Sequence, residues 1–195
     1  MALPLNILSS VPVVGALPVS EDYPRMLLRD RERGGIALGD SSQGLLAQVW
    51  TITSNGSSIF ISGESVAQTT LLSDSGITEI SLAFDQNMRP MVAYRALGVP
   101  KLYWYDTLLG AIVTTVLPSE TTSYYLTLDD HREGAEGGSD VLMFYLKTGS
   151  LFYRQQRDRF LTERLLSAVP VGVERILKVG LDSGLRIQIH LGQTV

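Results

Sequence analysis

Helical periodicity is almost absent from this chain, and that feature does most to limit what it can fold into. Apolar residues recur in short runs of four to eight, often alternating with polar ones, and Gly, Pro, Asn, Asp and Ser separate the runs. Runs of that length match strands, and the separators are turn formers, each for its own steric reason. The β-branched and aromatic content of the runs favours extended chain over helix. The reading is an all-β fold of mostly antiparallel strands.

The rhythm repeats. Over 77–117, strands are expected at Ser81-Leu82-Ala83-Phe84, at 91–95, at Lys101-Leu102-Tyr103-Trp104-Tyr105 and at 111–117, with turns at Asp85-Gln86-Asn87, Leu97-Gly98-Val99-Pro100 and 106–110. Over 122–166 the order recurs: a strand at 124–128, a Gly-rich polar loop at 129–139, strands at 141–146 and 151–156, and the basic Arg157-Asp158-Arg159 leading into 160–166. Matched copies lie 44 residues apart at the first strand, 50 at the second and 49 at the third. A degraded third copy precedes them, with strands at 45–53, 59–62 and 69–72 around the turn Ser54-Asn55-Gly56-Ser57. Four antiparallel strands in about 40–50 residues is the spacing of a β-propeller blade, and the competing arrangement is a pair of meanders in a sandwich.

The flanks differ. Residues 1–44 are rich in proline (Pro4, Pro12, Pro18) and apolar side chains around the charged Arg25 to Arg33, and they read as an extended N-terminal arm that lies on a neighbouring subunit. The repeated units occupy 45–170. Residues 171–195 read as a C-terminal hairpin: 176–179, a turn at Asp182-Ser183-Gly184, and 185–191 with Arg186, Gln188 and His190 on one face. No basic residue precedes Arg25 and prolines interrupt the first twenty residues, so a signal peptide is not expected. With no run of 18 apolar residues, membrane insertion is not expected either.

Composition enters where partners are concerned. Apolar residues make up 45% of the chain and charged residues 18%, below the roughly 25% of an average soluble domain. So little charge suggests that part of the apolar surface is covered by another subunit. The net charge of −4 argues against nucleic acid, which requires a basic face. Cysteine is absent, which removes disulfides and thiolate metal sites.

Chemistry is sparse. Of the two histidines, His190 shares a strand face with polar neighbours, and His131 sits in the acidic loop Asp129-Asp130-His131-Arg132-Glu133, which reads as a solvated turn. Neither supplies the ligand set of a metal site. Phosphate-binding loops, dinucleotide fingerprints and nucleophile elbows are missing, so no enzyme activity, cofactor or metal is expected. Arg154-Gln155-Gln156-Arg157-Asp158-Arg159-Phe160 is the most distinctive polar segment. Arg154, Arg157 and Arg159 are candidates to hold a partner's carboxylates, or else to pair within a turn. Trp104, with Tyr103, Tyr105, Tyr124, Tyr125, Phe152 and Tyr153, either fills the core or stacks on a sugar.

Two further groups of residues carry a likeness. One is Phe84-Asp85-Gln86-Asn87 with Arg89-Pro90, Val92-Ala93-Tyr94 and Leu102-Tyr103-Trp104-Tyr105-Asp106. The other is Leu128-Asp129-Asp130-His131-Arg132 with Asp140-Val141-Leu142 and the 153–160 segment. Together, across 77–166, they resemble segments of tailed-bacteriophage virion proteins, β-rich components of tails, tail fibres or tail hubs. The resemblance implies a homo-oligomeric structural protein, made in the host cytoplasm and located in the virion, whose partners are copies of itself and other virion proteins. It supplies no defined site. The alternative is a carbohydrate-binding β module that contacts a glycan receptor through the aromatic group, and a glycan-degrading enzyme stands third.

Overall fold

The computed structural model describes residues 27–30, 34–39, 48–63, 66–85, 89–128, 141–181 and 187–193. The fold is all-β, and the described residues form fifteen strands that pair antiparallel. Strands β1 (Leu27–Asp30), β2 (Gly34–Gly39), β3 (Gln48–Ser54), β4 (Ser58–Gly63) and β5 (Val66–Ser73) come first. A four-stranded sheet follows in chain order: β6 (Ile77–Phe84), β7 (Pro90–Ala96), β8 (Val99–Asp106) and β9 (Ala111–Val116). A second contains β10 (Thr121–Leu128), β11 (Val141–Lys147), β12 (Ser150–Gln155) and β13 (Arg164–Ala168). The last two strands, β14 (Val173–Leu181) and β15 (Ile187–Gln193), join the first five in a seven-stranded sheet of order β15-β14-β1-β2-β3-β4-β5.

The two four-stranded sheets share one plan. In each, the second and third strands meet in a two-residue turn: Leu97-Gly98 with φ of 48° and 79°, and Thr148-Gly149 with φ of 48° and 72°. Positive φ at both positions is the type I′ pattern, whose twist matches that of the flanking strands. The equivalence fixes the repeat. Leu82 pairs with Val92 in one sheet and Leu126 with Met143 in the other, so the copies are 44 residues apart at the first strand and 51 at the second. The spacings of 50 and 49 read from side-chain likeness are corrected to 51. A one-residue slip would put every side chain of the second strand on the wrong face.

Burial falls across each unit. Strands β7 and β11 are buried along nearly their whole length, whereas the fourth strands β9 and β13, and most of β5, are exposed. The units meet through their first strands: β6 packs against β2 and β10, and β10 against β14. Side-chain hydroxyls stitch this contact. Ser81 Oγ on β6 accepts the Leu126 N–H of β10 at 3.1 Å, and Ser123 Oγ on β10 accepts the Ile176 N–H of β14 at 3.1 Å. Both serines are buried, so each N–H that faces the neighbouring sheet finds an acceptor without water. The large buried side chains Tyr124, Tyr125, Tyr145, Leu82, Leu102 and Met143 fill the space around these strands.

Part of the span expected to form an N-terminal arm is described. Within 1–44, Leu27–Asp30 and Gly34–Gly39 are strands, with β1 paired to both β14 and β2. The rest of that span lies outside the described residues. The segment 171–195 does contain an antiparallel pair, β14 with β15, but β14 also borders β1 and is therefore part of the seven-stranded sheet. The pairing of early and late chain is made at Leu27↔Val179.

Candidate interaction surface

The arginine segment lies at the connection from β12 to β13. A single 3-10 turn, Gln156–Asp158, follows β12, and Arg159 and Phe160 then both take positive φ, 60° and 57°. Non-glycine residues in this region need support from their surroundings. The Phe160 N–H donates to Gln155 O at 2.8 Å, the Arg159 N–H donates to Gln156 O at 2.7 Å, and the Phe160 carbonyl accepts from Arg154 at 2.9 Å. The unusual backbone delivers two side chains to the neighbouring sheet. Phe160, fully buried, meets Trp104 of β8 edge-on with ring centroids 5.1 Å apart. Arg159 reaches Asp106 at the end of β8, its Nε 2.9 Å from Oδ2 and its NH2 bonded to the same oxygen.

Asp106 is buried and fully committed. Its other oxygen accepts the N–H groups of Leu108 and Leu109 at 2.9 and 3.3 Å, which shapes the β8–β9 turn. Burial would raise its pKa. The hydrogen bonds from Arg159 and from the Leu109 and Leu108 amides outweigh that and hold it below the ordinary carboxylate range. Arg154 is engaged as well. Its Nε donates to the Tyr145 hydroxyl at 3.0 Å, and its NH2 lies 3.6 Å from Glu163. Glu163 also accepts from Lys147 and from Tyr145. Burial pushes Glu163 up, but these bonds and the Arg154 charge bring it below its usual range, and burial followed by the Glu163 contact pushes the Tyr145 hydroxyl up.

Three sequence candidates therefore make contacts within the chain. Trp104, 3% exposed, packs against Phe160 and donates from Nε1 to the Thr115 hydroxyl at 3.0 Å, which leaves no ring face for a sugar. Arg154 bonds to Tyr145 and Phe160 and Arg159 to Asp106, so both candidates take part in joints of the fold. Arg157 is exposed beside them, and neighbouring Asp158 pairs with Arg164 at 2.8 Å. His190 is half-buried on β15 opposite Lys178, while His131 lies outside the described residues. Among the described residues, no group of three or more His, Asp or Glu is placed to hold a metal, and no helix is long and apolar enough to cross a membrane.

Several large apolar side chains are presented outward. The Arg159–Asp106 pair holds the β8–β9 and β12–β13 turns side by side, and these carry Leu108 (74% exposed), Leu109 and Leu161 (72% exposed). Ile112 and Val116 on β9, and Leu165 and Leu166 on β13, are exposed on the adjoining fourth strands. Composition hinted at such a surface without locating it. The local signal was present: leucines at turn positions 108, 109 and 161, where a turn needs no apolar side chain. No protein-family model, curated protein or solved structure matches the chain.

Proposed function

We propose that this protein is a structural component of a tailed-bacteriophage virion, in the tail or at a tail-fibre attachment, and that it works by assembling with copies of itself and with other virion proteins. The observation that carries the assembly part is the exposed apolar set on the fourth strands and their turns, beside charged groups such as Arg159, Arg154 and Lys101 that pair within the chain. Apolar surface of this kind is stabilised when a partner removes it from water, at roughly 25 cal/mol per Å². The likeness of 77–166 to phage virion segments supplies the particle. The carbohydrate-binding alternative has less to stand on, because Trp104 is in the core.

The test is direct. Purified particles of the phage that encodes the chain are digested and sequenced by mass spectrometry, and antibodies against the chain are located on them by electron microscopy. Stoichiometric presence on the tail is the expected result; absence from washed particles ends the reading. A glycan array on the isolated protein examines the alternative, for which saturable binding to a defined sugar would be required.

A further inference from the structure

Three fourth strands edge the repeated units, and they are not alike. Strand β13 begins with Arg164, and its ladder with β12 shifts register between Leu151 and Phe152. Strand β5 carries no charge but breaks register twice against β4, between Ile59 and Phe60 and between Ile61 and Gly63. Bulges and charges are the devices by which edges avoid pairing with other chains, the first by twisting the ladder and the second by refusing a dry neighbour. Strand β9 has neither. Its sequence Ala111-Ile112-Val113-Thr114-Thr115-Val116 lacks charge, proline and glycine, and its register with β8 runs unbroken from Lys101↔Val116 to Asp106↔Ala111.

The two faces of β9 are already assigned. Val113 packs on the core and the Thr115 hydroxyl accepts from Trp104, whereas Ile112 (57%), Thr114 and Val116 (62%) are exposed. The backbone follows the same parity. The Leu117 N–H donates to Pro100 O at 2.9 Å, so the odd-numbered residues bond to β8, and residues 112, 114 and 116 turn their N–H and C=O groups to the free edge.

We propose that β9 pairs edge to edge, antiparallel, with β9 of a second copy of this chain, centred on Thr114, so that two four-stranded sheets become one. Residues directly opposite each other in a ladder point to the same face, so exposed residues must oppose exposed residues. Centring on Thr114 sets Ile112 against Val116 on both sides of the two-fold axis and Thr114 against its own copy. Apolar then meets apolar, a favourable cross-strand pair, and Thr114, whose hydroxyl bonds Tyr94 within the chain, meets an uncharged residue. An uncharged strip that complements itself is what an isologous contact requires. A six-residue pairing buries less than the ~1,200–2,000 Å² of a stable complex, so the contact is weak alone and gains from many linked copies. The proposal rests on the assembly reading and names the partner as a second copy.

Because the chain has no cysteine, Thr114→Cys provides a single thiol. The full-length variant is treated with a short bismaleimide cross-linker beside Ser167→Cys, an exposed position on β13. In the proposed pair the two Thr114 Cβ atoms lie about 4.5–5.5 Å apart, so Thr114→Cys should give covalent dimer at least tenfold more readily. Sedimentation of Thr114→Lys, with circular dichroism and melting point as controls for folding, should show self-association weakened tenfold or more. Equal cross-linking of the two cysteine variants, or self-association of Thr114→Lys equal to wild type, overturns the β9 contact; the assembly reading survives this if the chain is still found on particles. Cross-linking of Thr114→Cys to a different protein in particles, with no dimer, overturns the second copy as the partner.

Discussion

The sheets β6–β9 and β10–β13 repeat one plan and complete it differently. Tyr94 on β7 and Tyr145 on β11 are equivalent positions, opposite Ile80 and Tyr124. Each donates its hydroxyl to a carboxylate that also takes a lysine: Asp74 with Lys101 for Tyr94, Glu163 with Lys147 for Tyr145. The acid arrives from opposite ends of the unit. Asp74 precedes β6, whereas Glu163 comes from the connection into β13. That connection is one difference between the sheets. A tight turn joins β8 to β9, but the longer link from β12 to β13 carries Arg159, Phe160 and Glu163, and Arg159 and Phe160 hold the two sheets together. Alternation repeats the strands; the irregular connection makes the joint.

The largest effect should come from cutting that joint. Phe160→Ala removes a fully buried ring against Trp104 and is expected to cost about 3–5 kcal/mol in denaturant unfolding. A cycle with Asp106→Asn should be non-additive, since both groups join the same two sheets. Additivity would mean that the ring and the ion pair act separately and the comparison is drawn in the wrong place.

The two tyrosines sharpen it next. Tyr145→Phe strips one bond from Glu163 and takes the acceptor from Arg154 Nε, an expected loss of about 1.5–3 kcal/mol, while Tyr94→Phe should fall at or below the lower end. The reverse order in chemical denaturation would remove the distinction between the two acid–lysine–tyrosine groups.

Titration separates them without truncating either. The hydrogen bond from Lys101 holds Asp74 below its ordinary range, and Glu163 is also held low. For a lowered acid, the stabilisation is complete above the unfolded value near pH ~4 and disappears as pH falls through the folded value. Unfolding in acid should therefore begin below about pH 4. Burial, then the Asp74 charge, pushes Tyr94 up to about 12. A raised tyrosine stabilises below its unfolded value near pH ~10 and loses that contribution as pH rises through the folded one. Ultraviolet titration, compared with Tyr94→Phe and Tyr145→Phe, should show both tyrosines ionising above the free-tyrosine range, Tyr94 near pH 12, and loss of a step at the free-tyrosine value in either variant would contradict that environment.

The smallest effect concerns the paired turns. Positive φ costs an ordinary residue roughly 1–2 kcal/mol, and Asn tolerates it best. Thr148→Asn, exposed and β-branched, should gain up to about 1 kcal/mol. Leu97→Asn should gain less, because the Leu97 side chain lies over Gly76, where an added Cβ would sit 2.9 Å from its Cδ2. Equal shifts in melting temperature would show that this contact is worth nothing.

Much of this was readable in the residues. Alternation, β-branched content and turn formers determine an all-β chain, its hairpins and the repeat, because each depends on neighbours within a few residues. Gly98 and Gly149 mark their turns for the same local reason: the second position of a type I′ turn needs positive φ. Tertiary structure alone decided the rest. The pairing of β1 with β14, the burial of Trp104 and the reach of Arg159 to Asp106, 53 residues away, depend on where whole sheets come to rest. An arginine reads identically in sequence whether its carboxylate belongs to a partner or to the next sheet. Only the burial of Asp106 beside it, and the left-handed turn that aims it, make the internal pair the outcome.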